Sequence, residues 1–233
     1  MSQEYIYAVA RVRAREVFLL GKNDLERLMA CHSEKECLGV LRDKGWGRGE
    51  RSLSAEELLA AEEEKTWDFL HELTQDEAPF APLLVPIDGN NLKAAVKCAA
   101  AHTEPKNVFL PGGRWDGEAL LAMAQERDFS PLPPALALAA DRALQTFLQT
   151  GDGQLCDVIL DRACLEEILR LGRESGLPVL EQYGEWTAAT ADIQLAFRAV
   201  KAGKKREFLE LALAPCQSLD AAALAAAAAS GVK

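Results

Sequence analysis

Three histidines and six cysteines have the widest chemical reach in this chain of 233 residues, and their spacing gives them little to do together. His32, His71 and His102 fall in separate segments with helical patterning, and none has a motif-like neighbour. A nucleophile with its base needs Ser or Cys beside His in space, and no local pattern forces that. Cys31 and His32 with Cys37 bring three metal-ligand types into one short stretch, but the spacing fits no zinc motif. Cys31, Cys37, Cys98, Cys156, Cys164 and Cys216 are scattered, with no Cys-x-x-Cys pair, and read as reduced thiols. Glu62 and Glu63 have the chemistry of a general acid and base, but adjacent residues on a helix point in different directions. The expectation is therefore no catalytic, no cofactor-binding and no metal-binding residue.

Charged groups are the other candidates. The opening stretch YAVARVRAREVFLLG carries Arg11, Arg13 and Arg15 at alternate positions. Polar–apolar alternation suits a half-buried strand. Wound as a helix, the same residues bring Arg11 and Arg15 together and set Arg13 across the axis. Tyr5, Val9, Val12, Glu16 and Leu19 or Leu20 then form one stripe, and Ala8, Ala10 and Ala14 favour the helix. Glu16 on that stripe is expected to pair with Arg13 or with an arginine of another helix.

The elements that would position these groups are helical from end to end. Asp24 is placed to cap LERLMACH. Ser33 with Glu36, and Ser54 with Glu57, form capping boxes. The second opens a helix over residues 55–75, with Leu59, Glu63, Thr66, Leu70 and Leu73 on one side, broadened by Leu58, Trp67 and Phe69. The acidic run at Glu62–Glu64 reads as a solvated face. Gly45-Trp46-Gly47 is a break. Pro79, Pro82 and Pro86 suggest a turn-rich connection, with Asp88 or Asn90 capping NLKAAVKCAAAH. Asp116 caps GEALLAMAQERD. Long helical patterns follow over 135–151, 157–175 and 177–203, then a shorter one before Pro215. Only 83–87 and 108–110 have strand composition, and both are short and flanked by Pro or Gly. The fold class expected is all-α. Asp88, Ala95, Val96 and Lys97 recur at one offset as Asp192, Ala199, Val200 and Lys201, the mark of a repeated helical unit if it is more than shared composition. The end, SLDAAALAAAAASGVK, has a cap in Ser218 but only Leu219 and Leu224 as bulky apolar residues. It reads as a helix start that lacks packing partners, or a frayed tail.

Totals exclude some function classes. The net charge is −10, against the positive field that a general nucleic-acid binder needs and against adsorption to anionic lipid by charge alone. No apolar run reaches 18 residues, so direct membrane insertion is not expected. The N-terminus lacks the shape of a signal peptide.

Taken in order, YIYAVARVRAREVFLL, LRDKGWG, EELLAAEEEKTWDFLHEL, LLVPIDGNNLKAAVK and the stretch from DVILDRACLEE to APCQSLD resemble the C-subunit family of V-type and archaeal A-type ATPases, whose eukaryotic relative is the d-subunit. The likeness covers most of residues 5–220. It implies helical bundles repeated with pseudo-threefold symmetry. The divisions expected are a first unit over 1–105, a second over 106–216, and an alanine-rich tail over 217–233 that starts a truncated third. It implies a non-catalytic rotor component, a socket between the central-stalk subunits and the membrane ring of a rotary ATPase that moves protons or sodium. That protein would be cytoplasmic and peripheral to the membrane, with no cofactor and no small-molecule substrate. On this view Arg11 and Arg15 face acidic partners, within the chain or on the stalk. The residues alone also fit an all-helical scaffold or adaptor with unrelated partners, or a small enzyme using a cleft between bundles.

Overall fold

The computed structural model of the chain describes residues 4–49, 52–74 and 78–230. Among these residues there are eleven α-helices and no strand. The chain divides into two compact units, Met1–Glu77 and Ala78–Lys233.

The first unit holds α1 (Glu4–Glu16), α2 (Lys22–Met29), α3 (Glu34–Asp43) and α4 (Ala55–Leu73). α1 is a helix, as its alanines favour, but its expected apolar stripe is not buried: Tyr5 is 58% and Val9 43% exposed. Asp24 does not cap α2. Gly21 does, and Asp24 reaches back from the third helical position to accept the Gly21 N–H at 3.0 Å. Its other partner is Lys44 at 2.7 Å, just past α3. Ser33 caps α3, but Glu36 accepts the N–H of His32 rather than of the cap. Ser54 and Glu57 complete the expected capping box on α4. Spacing predicts one helix over 55–75; α4 ends at Leu73, and Gln75 lies outside the described residues.

The buried face of α4 sits one residue away from the expected stripe. It runs through Leu58, Glu62, Lys65 and Phe69, while Leu59 is exposed. The cause is the 3-10 turn at Trp46–Gly49. Gly47, buried and with φ of +79°, donates its N–H to Glu62 at 3.1 Å, and Lys65 bonds both Glu62 (2.6 Å) and the Gly45 carbonyl (3.0 Å). Glu62 is thus a tether for the turn, not part of a solvated run; Glu63 and Glu64 are exposed.

The second unit holds α5 (Ala81–Ala101), α6 (Gly117–Glu126), α7 (Pro134–Thr150), α8 (Gly153–Glu174), α9 (Pro178–Lys201), α10 (Arg206–Ala212) and α11 (Ala221–Ala229). α5 absorbs both the supposed turn-rich connection and the strand candidate at 83–87. Pro82 lies in its first turn, where proline is tolerated, and Pro86 lies inside it. Burial outweighs the proline cost: Val85, Leu92, Ala95 and Val96 are all core residues. The other strand candidate, 108–110, is irregular.

α5 to α8 enclose one core, with Leu120 and Leu121 from α6, Leu136 and Leu144 from α7, and Leu160 and Ile168 from α8. Lys93–Asp161 and Lys97–Asp157, each 2.6 Å, tie α5 to α8. A smaller core joins α9, α10 and α11 through Ala196, Ala199, Leu209, Leu213 and Ala225. α11 is therefore packed and not frayed, though by small residues. Its cap is Asp220, accepting from Ala222 and Ala223, and not Ser218. The last three residues of the expected 217–233 tail lie outside the described residues.

Candidate partner-binding surface

The residues with chemical reach stay apart. His32 follows α2, His71 lies near the end of α4, and His102 follows α5; all three are exposed. No group of three His, Cys, Asp or Glu able to hold a metal occurs among the described residues. The apolar gap between Gly89, Trp115 and Cys164 measures about 10 Å³, room for a water at most.

Arg11 and Arg15 do come together, on the side of α1 that meets α4. Arg11 donates to the Tyr7 hydroxyl at 2.6 Å and to Glu72 at 2.9 Å, and lies over the Phe69 ring. The Arg15 guanidinium sits 4.2 Å from the centre of the same ring. Tyr7 and then Glu72 raise the Arg11 pKa further, so the charge is permanent. Arg13 pairs with Glu16 at 2.8 Å, as the spacing suggests. The two arginines thus form a cationic edge held by one aromatic ring and one carboxylate, with Arg11 still 38% exposed.

Two clusters invisible to local sequence reading shape the second unit. Asp88, 3% exposed, accepts the Arg114 backbone N–H at 2.7 Å and its Nε at 2.6 Å. Arg114 also reaches Glu167, 2% exposed, at 3.4 Å, and lies over the Trp115 ring. Asn91 exchanges two hydrogen bonds with the Leu110 backbone. Asp88 is therefore a buried anchor for the 102–116 connection and not a helix cap. Nor does Asn90 cap a helix: it too lies inside α5.

α9 carries a similar device. Glu185 accepts the N–H groups of Gln217 (2.8 Å) and Ser218 (3.1 Å) and pairs with Arg173. Asp192, 1% exposed, accepts the Ala214 N–H at 3.0 Å, while its second oxygen is buried without a partner.

That orphaned oxygen has a measurable consequence. Burial pushes the Asp192 carboxyl up to about 6, against 3.8 for an unperturbed side chain. A raised acid favours the fold while protonated. Its contribution is therefore present below about pH 4 and lost as the pH rises through about 6. Asp192→Asn keeps an acceptor for Ala214 and removes the buried charge. We expect the variant to be more stable than the parent at pH 7 by about 1–2 kcal/mol, with the gain shrinking to nothing near pH 4. Urea unfolding of both proteins at pH 4, 5 and 7 checks this; a pH-independent difference contradicts it.

The second unit exposes apolar residues along α9. Val179, Trp186, Ile193 and Phe197 repeat at helical spacing along its outer face, with Trp186 62% exposed. Such a face marks an interaction surface more often than a single exposed residue does.

A comparison with known protein families matches residues 8–232 to the family described as ATP synthase (C/AC39) subunit. The chain belongs to that family. No curated protein and no solved structure gave a match. No helix among the described residues is long and apolar enough to cross a membrane.

Proposed function

We propose that this chain is a non-catalytic rotor component of a V/A-type ATPase, a socket that couples the central stalk of the soluble motor to the membrane ring during proton or sodium transport. The family match over residues 8–232 carries this reading. In the cell the chain would be cytoplasmic and would reach the membrane only through the complex. Torque transmission asks for stiff helices and well-seated connections rather than an active site, and the anchors at Asp88, Asn91, Glu185 and Asp192 supply such seating.

The positions around these anchors support a repeated unit, though the bonds differ: Asp88 holds Arg114, whereas Asp192 holds Ala214, the position that matches Leu110. Leu110 and Ala214, Arg114 and Ser218, and the helix caps Asp116 and Asp220 all stand at the 104-residue offset that separates Asp88 from Asp192. At that offset Trp186, Ile193 and Phe197 correspond to Pro82, Gly89 and Lys93 of α5, where Gly89 and Lys93 meet Cys164 and Asp161 of α8. The exposed face of α9 is thus the counterpart of a face that a neighbouring helix covers. On this reading the repeats divide near 105 and 216, a division of sequence recurrence rather than of compact units.

Arg11 and Arg15 are the proposed contacts to acidic groups of the stalk. Binding of the full chain to purified central-stalk subunits, followed by calorimetry, tests this. Arg11→Glu with Arg15→Glu should weaken binding by about tenfold or more while helicity stays unchanged, because exposed ion pairs contribute little to the fold. Arg11→Glu with Glu72→Arg restores both the pair inside the chain and the net charge of the edge, so it should bind more tightly than Arg11→Glu alone. Parental affinity in the double charge reversal removes these residues from the interface.

A further inference from the structure

The turn between α2 and α3 holds two thiols that the rotary reading does not use. Cys31 follows α2 by two residues, and Cys37 lies in the first turns of α3. The Cys31 Sγ donates to the Arg27 carbonyl at 3.3 Å, and the Cys37 Sγ to the Leu28 carbonyl at 3.7 Å. Those acceptors belong to consecutive residues in the last turn of α2, so both sulfurs converge on one helix end. The Cys37 thiol is also close enough to Cys31 to influence its ionisation. Both thiols are free and half-buried, which leaves a path for a small reagent. At the other end of the same helix pair, Lys44 and Asp24 hold α3 against α2 at 2.7 Å. The sulfurs are thus kept near one another by a framework pinned elsewhere. Contrast Cys156 and Cys164: burial pushes their thiols up to about 11 and about 12, and they belong to the packed core of α5–α8.

We propose that Cys31 and Cys37 are a modification site: a dithiol that closes to a reversible intramolecular disulfide by exchange with a small disulfide of the glutathione class. One cysteine, as thiolate, attacks a sulfur of oxidised glutathione. That S–S bond breaks, and one glutathione leaves as a thiol after taking up a proton. The other cysteine then loses its proton and attacks the protein sulfur of the mixed disulfide, expelling the second glutathione. Two protein thiols are oxidised, one glutathione disulfide is reduced, and two protons end on the two glutathione thiols. Closure replaces two thiol–carbonyl hydrogen bonds with a covalent tie between α2 and α3. Burial, and then Cys37, raise the Cys31 thiol above its ordinary value, so exchange should quicken as the pH rises towards 9.

The test uses the full chain, reduced, then exposed to oxidised glutathione, quenched in acid and analysed by intact mass and peptide mapping. The expected product is a monomer lighter by two hydrogens, with the Cys31 and Cys37 peptides linked, and restored by dithiothreitol. Cys31→Ser and Cys37→Ser should each stop at a glutathione adduct on the remaining partner. A stable glutathione adduct on the parent protein overturns the proposal. So does a crosslink between other cysteines or between chains, or no reaction at all.

Discussion

Replacing Arg114 with methionine should destabilise the second unit by about 3–5 kcal/mol, the cost of leaving buried charge without its counter-charge. Arg114 is the cation shared by Asp88 and Glu167, whose side chains are 5% and 1% exposed. Glu167 keeps Arg170 as a second partner at 2.8 Å. Among the described residues, Asp88 keeps the backbone N–H at position 114. Methionine keeps an unbranched stem of similar length but gives up the guanidinium's place over the Trp115 ring, so the loss combines charge with that contact. Adding Asp88→Asn to the variant removes the stranded charge and should recover a large part of the loss. Urea unfolding of the four proteins in that cycle measures the coupling directly. A loss below about 1 kcal/mol for Arg114→Met would mean that water already screens the cluster.

The second large effect is expected from a single methyl group. A Cβ at Gly172 on α8 would stand 2.6 Å from the Leu180 carbonyl oxygen and 3.2 Å from its carbon. Both are backbone atoms of α9 and cannot rotate away. Gly184 makes the reciprocal close approach, its Cβ position 3.3 Å from the Ile168 carbonyl oxygen on α8. Gly172→Ala should therefore push α8 and α9 apart. The net cost expected is about 2–3 kcal/mol, even after the roughly 1 kcal/mol that alanine gains over glycine in helix propensity. Gly89→Ala is the control. Its Cβ would meet the Cys164 sulfur, also at 2.6 Å, but a side chain can turn aside and the cost should be smaller. Thermal unfolding of the two variants side by side tests the distinction; equal losses would contradict it.

These two sites show which parts of the molecule are legible from sequence. Local rules found the capped helix starts, but not always the capping residue: Gly21 caps where Asp24 was expected, and Asp220 where Ser218 was. Ser54 and Asp116 cap their helices because the partner N–H groups lie two or three residues on. The all-α class followed from helical spacing and a scarcity of strand composition. Rules failed where the partner is remote. Asp88 looks like a cap, and its true partner is 26 residues on, at Arg114. Glu62 looks solvated until Gly47 folds back on it. Pro86 signals a break, yet α5 runs through it because the buried residues on either side stabilise the helix more than the proline weakens it.

The candidate site was half visible in the same way. Helical geometry brings Arg11 and Arg15 to one side, which sequence can say. Glu72 lies 61 residues from Arg11, which sequence cannot say. The exposure of Tyr5 and Val9 was also missed, since an apolar stripe predicts a buried face and not which surface covers it. On α9, helical spacing places Trp186 and Phe197 on one side, but it does not say that this side is left exposed.

The most direct measurement is light scattering on size-exclusion fractions of the full chain mixed with its own central-stalk subunits and the detergent-solubilised membrane ring. A socket should give one complex containing all three components, and omitting the chain should leave stalk and ring apart. Stalk and ring associating equally well without the chain, or the chain eluting free of both, would contradict the coupling role.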